Sequence, residues 1–295
     1  EHASSPGAGA TTGCRCRQSA LTAPRGGAAA STRSPALSTS CYAANVGGTP
    51  LDSCDFDVDL VVESRSSDLS VIERHGNSWI RRALRRHIRE LGIPVSITQR
   101  LPFALSDLPL CYEHMSGLTR LELEGVQGVL AFSGCPALVH LMMEDCLISS
   151  LEMYSPSLKH LSIRFCLFYY NYCARTSFSS LVSFRLNKIA SRAPLLESIP
   201  SLETAKVKLH GLCDDRCARG CCDDCGYASC PGCYYYYGLD DIDCVFLQGS
   251  TEAIDLKLTA CPEVYVFNRD LRCCPPFNKL KTSALHEWFV SDNLH

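Results

Sequence analysis

An apolar pattern six residues long recurs through the middle of the chain. Each copy reads Leu-x-x-Leu-x-Leu or a close apolar variant, and the copies begin at Leu118, Leu138, Leu158, Leu181 and Leu202. Successive copies start 20, 20, 23 and 21 residues apart. In an extended segment, positions 4 and 6 of the pattern face one side, whereas positions 3, 5 and 7 face the other. Each copy therefore predicts a short strand with one buried edge.

These strands cannot bury their apolar edges alone, but stacking them in parallel builds a continuous core. The period falls within or close to the range of leucine-rich repeats. Cys146 and Cys166 occupy position 9 of their copies, where the leucine-rich pattern has Asn or Cys that bonds backbone groups at the strand exit. The predicted fold class is α/β: a leucine-rich-repeat solenoid of short parallel strands with a helical or irregular convex side.

Weaker copies extend the array in both directions. They begin at Ile88, Ala253 and Leu280, and the second again has a cysteine, Cys261, at position 9. Together with the five stronger copies they predict eight strands. Residues 51–295 are interpreted as the repeat domain, truncated at its C-terminal end. Order is expected to begin near Cys54, where the following apolar and acidic residues alternate as in a strand.

A helix is predicted from Asn77 to Gly92, just before and into the first weak copy. Asn77 or Ser78 can cap its start and Gly92 can end it. One face is basic and carries Arg81, Arg82, Arg85, Arg86 and Arg89. A nucleic-acid or phospholipid contact is one interpretation of this face. The favoured interpretation is the solvated outer face of an amphipathic helix.

Residues 1–50 differ in composition from the rest of the chain. Ala, Gly, Ser, Thr and Pro dominate, and no apolar period is sustained. Such a segment buries too little surface to offset the entropy lost on ordering, so it is predicted to be disordered and of low complexity.

A second irregularity is an insertion rich in Cys and Asp at about residues 211–245, where the next repeat would otherwise begin. Its two C-x-x-C units, Cys222/Cys225 and Cys230/Cys233, could hold a tetrahedral zinc through four thiolates. The four-residue spacer between the units is shorter than in usual zinc fingers. A flexible acidic loop is therefore favoured, and a zinc-binding or redox-responsive module is the alternative.

Composition narrows the functional classes. The net charge of −3 over 295 residues gives no reason to expect nucleic acid or membrane as a partner, and no apolar run is long enough to span a membrane. The 20 cysteines are scattered through the repeats rather than arranged as a disulfide framework, which favours a cytoplasmic or nuclear location. Nucleophile-elbow, phosphate-loop and zinc-protease motifs are absent. No enzymatic activity and no cofactor are expected.

Partner binding is instead expected on the exposed side of the strands, the concave face of the solenoid. Positions 3, 5 and 7 of successive copies should form rows spaced by about 4.8 Å. These rows change from acidic to basic along the array, so a protein partner of opposite polarity is expected. The predicted contact residues are Arg120, Glu122, Glu124, His140, Met142, Glu144, His160, Ser162, Arg164, Arg185, Asn187, Lys206 and Lys208.

The segments HGNSWIRRALRRHIRELGI, CPALVHLMMEDC, SPSLKHLSIRFC and TEAIDLKLTACPEVYVFNRDLRCCPPFNKLKT carry a family resemblance. From about Cys54 to the end, the chain resembles the leucine-rich region of plant F-box/LRR proteins, the FBD-associated class of grasses. This resemblance implies a substrate-recognition subunit of a Skp–cullin–F-box ubiquitin ligase, whose solenoid holds an unidentified protein target. A Skp-type adaptor is implied as a partner only where an intact F-box exists, and none is readable before Cys54.

The first residues support one hypothesis about the missing F-box. Glu1 to Cys16 can be back-translated with permitted codons so that reading two bases later gives ARVLARRWRHNWMPV. That string resembles the V-L-[AS]-R-R-W-R-x-x-W end of a plant F-box. The hypothesis is that this segment is an F-box remnant in a shifted reading frame.

Overall fold

The structure, a computed structural model, is a solenoid of stacked coils in which most strands run parallel. It describes residues 14–18, 36–43, 52–60, 66–97, 103–105, 115–130, 132–150, 152–169, 174–197, 199–209, 213–215, 219, 230, 247–261, 264, 270 and 276–286. Within these residues the helix is α1 (Ser66–Leu84). The strands, in chain order, are β1 (Cys14–Gln18), β2 (Ala36–Ala43), β3 (Ser53–Leu60), β4 (Glu90–Ile97), β5 (Phe103–Ala104), β6 (Arg120–Glu124), β7 (Val126–Gly128), β8 (His140–Glu144), β9 (Leu147–Ile148), β10 (Glu152–Tyr154), β11 (His160–Arg164), β12 (Leu167–Phe168), β13 (Arg175–Ser177), β14 (Ser183–Asn187), β15 (Leu195–Leu196), β16 (Thr204–Lys208), β17 (Asp255–Thr259) and β18 (Thr282–His286).

One main sheet contains every strand that the apolar pattern predicts. Its order is β1-β2-β3-β4-β6-β8-β11-β14-β16-β17-β18, and all pairs from β3 to β18 are parallel. The eight predicted strands are neighbours in this sheet, including those of the three weak copies. Equivalent pattern positions pair directly, as Leu121 does with Leu141 and Leu161 with Phe184. The solenoid and its strand register are therefore confirmed.

The coil between β3 and β4 contains α1, whereas the five coils from β4 to β16 carry short strands on the side away from the main sheet. A four-stranded sheet has the order β12-β9-β7-β5, and a three-stranded sheet has the order β10-β13-β15. The expected helical or irregular convex side is thus wrong for these coils. Successive coils are of nearly equal length, so their return segments also stack and exchange backbone hydrogen bonds, as Tyr169 N does with Ile148 O at 2.9 Å. This pairing satisfies backbone groups that a short irregular segment would leave buried and unpaired.

Apolar positions 1, 4 and 6 fill the interior of the coils. In a central coil Leu158, Leu161 and Ile163 are each at most 2% exposed. Their neighbours in the adjoining coils are equally buried, and one continuous cluster runs from Cys54 to Val264. The main sheet is therefore apolar on its inner face and free to carry polar side chains on the other.

The helix differs from its predicted bounds. α1 begins at Ser66 and ends at Leu84, so Asn77 and Ser78 lie inside it rather than capping it. Gly92 belongs to β4 instead of ending the helix. The physical reason is the turn after Leu84, in which His87 adopts a left-handed φ of 56° and the N–H of Glu90 bonds to Asp52 O at 3.0 Å. The helix therefore ends at Leu84 and the chain enters the main sheet at Glu90, although the helical spacing of apolar residues continues to Ile88.

Two strands of the N-terminal segment belong to the main sheet, so the predicted disorder of residues 1–50 is supported only in part. β2 pairs antiparallel with β3, and β1 pairs antiparallel with β2. β3 offers an open sheet edge, and backbone pairing on such an edge requires no apolar repeat in the added strand. The other residues of 1–50 lie outside the described residues, as do 287–295. Among the described helical residues, none form a segment both long and apolar enough to cross a membrane.

Candidate partner-binding face

The outward side of the main sheet forms one continuous surface, called here the strand face. It consists of positions 3, 5 and 7 of the strands, whose side chains point away from the core. All thirteen predicted contact residues lie on it, and strand register brings them into three rows. Glu122, Met142, Ser162, Arg185 and Lys206 form the row at position 5.

A groove lies over the centre of this face. It is lined by Arg120, Glu122, His140, Met142, His160, Ser162, Ser183 and Arg185 together with the leucines beneath them. Its volume of about 200 Å³ is below the roughly 300–1,000 Å³ of typical small-molecule sites. The groove is partly open to solvent.

Two exposed histidines line the centre of the groove. His140 and His160 pair across β8 and β11, and their rings stack with centroids 4.5 Å apart at an interplanar angle of 8°. Burial lowers the pKa of His140, and the positive charges of His160 and Arg120 lower it further, against an opposing effect of Glu90. The stacked pair presents a flat surface, and protonation of its His140 ring is disfavoured.

Acidic groups collect at the N-terminal end of the strand face. Asp55 on β3 extends over Gly92, which has no side chain to block it. Burial and the charges of Glu122 and Glu90 raise the pKa of Asp55. Nearer the centre, Arg120 Nε donates to Glu122 Oε1 at 2.7 Å and Arg164 Nη1 lies 3.3 Å from Glu144 Oε2.

Cations collect at the C-terminal end. Arg185, Lys206 and Lys257 are exposed and occupy position 5 of three adjacent strands, and Lys208 lies at position 7. Among the residues that the structure describes, none of these four has a carboxylate within ion-pair distance. Like charges side by side on a sheet destabilise it. The face is therefore polarised, with unpaired positive charge at one end.

Two members of this surface were missed by sequence reasoning. Lys257 falls at position 5 of the weak copy that begins at Ala253, but the predicted rows used only the five strong copies. Asp55 lies in a strand without the repeat pattern, and only the pairing of β3 with β4 places it in the position 5 row. The repeat template extended to weak copies would have found the first residue but not the second.

Cysteines mark the strand exits as predicted. The thiol of Cys146 donates to Leu123 O at 3.5 Å and to Glu144 O at 3.3 Å, and that of Cys166 donates to Arg164 O at 3.3 Å. A hydrogen bond from Cys166 lowers the pKa of Cys146, while burial raises the pKa of Cys166 well above its usual value. These buried thiols hold backbone together rather than offering a reactive site. Cys261 is half-buried.

The residue at position 8 of the first four strong copies, just before the strand-exit position 9, makes a tight turn. Gly125, Asp145, Phe165 and Lys188 all have left-handed φ values, of 64°, 51°, 53° and 55°. Each N–H donates to the last strand residue of the next coil, as Phe165 N does to Asn187 O at 3.0 Å. Gly tolerates this conformation and Asp adopts it comparatively often, whereas a bulky side chain rarely does. Phe165 is therefore held in a strained conformation.

Two residues at the start of the insertion, Cys213 and Asp215, are buried against the preceding coil. The interpretation of the insertion as a flexible acidic loop stays a prediction. Asp215 is fully buried, and its carboxylate accepts the N–H of Ala193 at 2.6 Å and lies 3.7 Å from Arg192. Cys213 is buried beside it and donates to Ser191 O at 3.2 Å. Burial and Asp215 raise the pKa of Cys213 well above its usual value. This anchoring keeps the carboxylate of Asp215 from solvent, whereas its neighbour Asp214 is exposed.

The zinc alternative rests on residues that the structure describes only in part. Cys230 is buried, and Cys222, Cys225 and Cys233 lie outside the described residues. Within the described part of the chain, no group of three or more His, Cys, Asp or Glu side chains is arranged to hold a metal ion. The hypothesis of a zinc or redox module therefore stays a prediction.

Comparison with known proteins adds no family assignment to this geometry. No family model matches the chain, and searches of curated proteins and of solved structures gave no match.

Proposed function

We propose that the chain is a protein-recognition solenoid of the leucine-rich-repeat type, and that a partner protein binds along its strand face. The observation that carries this proposal is the polarised row at position 5, which changes from Asp55 and Glu122 to Arg185, Lys206 and Lys257. Unpaired cations in adjacent strands lower stability, so their presence is better explained by an anionic partner than by the fold.

The partner on this face has the opposite polarity. Its basic part lies against the acidic end, and its acidic part lies against Arg185, Lys206 and Lys257. Between them the flat surface of His140 and His160 contacts uncharged side chains. Open geometry and a charged surround are features of protein interfaces rather than of catalytic pockets.

The resemblance to plant F-box/LRR proteins extends this proposal to a cellular role. In that role the solenoid holds a target while a separate F-box binds a Skp-type adaptor of a ubiquitin ligase. Location in the cytoplasm or nucleus, where such ligases act, agrees with cysteines that serve as buried thiols: Cys146 and Cys166 are both free.

A charge-block peptide tests the strand face directly. The probe is a peptide with six glutamates, a short glycine linker and six lysines, and its controls are the two single-charge blocks. We expect the mixed peptide to bind more tightly than either block in fluorescence anisotropy at low salt. The variant Glu122→Lys with Glu144→Lys should lose the contribution of the lysine block, because both carboxylates lie on the strand face.

A matched control reverses two exposed carboxylates away from the strand face, Glu152→Lys with Glu197→Lys. Its net charge change is the same, so long-range electrostatics alone would weaken binding equally in both variants. Equal weakening would therefore contradict the proposed face. Circular dichroism and the unfolding midpoint establish that both variants remain folded.

A further inference from the structure

Phe165 belongs to the row of left-handed turn residues that follow the strands of the main sheet. At this residue a strained backbone, an exposed ring and nearby positive charge occur together. In the two preceding coils this row carries Gly125 and Asp145, residues suited to a left-handed turn. Phe165 adopts the same turn at φ 53°, although its ring is 40% exposed. The core gains little from an aromatic ring in this place. Its presence therefore indicates a contact outside the chain.

Two cations lie close to the ring of Phe165. Lys188 Nζ is 5.2 Å and Arg164 Cζ 5.8 Å from the ring centroid. Arg164 is paired with Glu144. By contrast, within the described residues Lys188 has no carboxylate at ion-pair distance, and its side chain contacts the ring instead.

Two kinds of residue lie near Phe165 and Lys188: exposed apolar side chains and a further lysine. On the coil side, Leu167 is 41% and Tyr169 62% exposed, so apolar surface continues along the chain beyond Phe165. On the strand side lies Lys208, whose carbonyl accepts the N–H of Lys188 at 2.8 Å. Asn187, the last residue of β14, has a buried side-chain oxygen that accepts no hydrogen bond within the described residues. Apolar surface and unpaired positive charge thus adjoin each other at the edge of the strand face.

We infer that Phe165 and Lys188 form an anchor site for an acidic segment of the partner, one that carries an aromatic or large apolar side chain among its carboxylates. This inference rests on the proposed strand face, because the segment continues onto the edge from the basic end of that face. The apolar side chain packs on the exposed ring of Phe165. Its neighbouring carboxylates approach Lys188 and Lys208, which the ring and the strand register hold at the edge.

Two nonapeptides test the anchor. One consists of glutamates with a central phenylalanine, and the other has alanine in its place. Both should bind the native chain, and the phenylalanine peptide should bind about twofold to tenfold more tightly, the range expected for one aromatic contact. Fluorescence anisotropy at fixed low ionic strength measures both affinities.

Substitution of both anchor residues by asparagine separates their roles, since asparagine tolerates left-handed φ at either position. Phe165→Asn should abolish the advantage of the phenylalanine peptide and leave the alanine peptide unchanged. Lys188→Asn should weaken both peptides by a similar factor. Relief of strain offsets the lost apolar burial in Phe165→Asn, so its unfolding midpoint should stay within about 4 °C of the native value.

The outcomes distinguish the anchor from the strand face. An advantage for the phenylalanine peptide that persists in Phe165→Asn would overturn the anchor. Equal binding of the two peptides to the native chain would overturn it as well, and the strand face would stand if Arg185→Glu with Lys206→Glu still weakened both. Failure of both peptides to bind the native chain would overturn the anchor and the acidic half of the proposed partner together.

Discussion

His140 lies flat against His160 in the next strand of the main sheet, with the ring centroids 4.5 Å apart. The pKa of His140 is lowered by burial, His160 and Arg120, while Glu90 opposes the shift. A lowered folded-state pKa means that the contribution of His140 to stability is complete above its unfolded pKa of about 6.5. That contribution is lost as the pH falls through the folded pKa.

His140→Gln should therefore flatten the acid side of the stability profile. The free energy of unfolding of the native chain should fall more steeply between pH 7 and pH 5 than that of the variant. Urea titrations at several pH values measure the difference. His286→Gln provides a control, since that exposed histidine lies at the far end of the sheet. Parallel profiles for native chain and His140→Gln would contradict the stacked arrangement.

Truncation of the core should cost most in the central coils. Leu141 and Leu161 are each 2% exposed, whereas Leu285 on β18 is 40% exposed. Leu141→Ala or Leu161→Ala should lower the free energy of unfolding by about 2–5 kcal/mol, because a cavity remains in a packed interior. Leu285→Ala should cost less. Denaturant unfolding measures all three, and equal losses would argue against the stacked-coil core.

The packing of the first residues of the insertion should depend on the carboxylate of Asp215. Asp215 is fully buried against Arg192, which is 5% exposed, and it also satisfies the N–H of Ala193. Asp215→Ala should cost about 3–5 kcal/mol, because it leaves a buried guanidinium without its counter-charge. Asp214→Ala removes the same group from the exposed neighbour and should change stability by less than about 0.5 kcal/mol. Comparable losses in the two variants would show that Asp215 is not the anchor.

The main sheet could be predicted because the residues that specify each strand lie within one short segment of the sequence. A period of two within each copy selects the buried positions, and the repeat spacing brings equivalent positions together. Even the copy at Leu280 gave a strand in register, although its position 4 is Ser283. The row that includes Glu124, Glu144 and Arg164 followed directly from this register.

The return strands could not be predicted in the same way. β9 and β12 are two residues long, and their stability comes from the coil beside them rather than from their own pattern. Buried polar contacts between coils are equally invisible in the sequence. Ser191 Oγ accepts the N–H of Phe168 at 2.8 Å across 23 residues, yet Ser191 resembles any polar turn residue. Such contacts depend on how two distant segments meet, and no spacing rule in one segment reveals them.

β16 and β17 are hydrogen-bonded neighbours in perfect register, although 46 residues separate the end of one from the start of the other. Lys206 therefore sits beside Lys257 as closely as Arg185 sits beside Lys206. The length of a coil and the side chains on the strand face can therefore differ independently of each other. A long segment between two strands thus leaves the rows of side chains on the strand face unbroken.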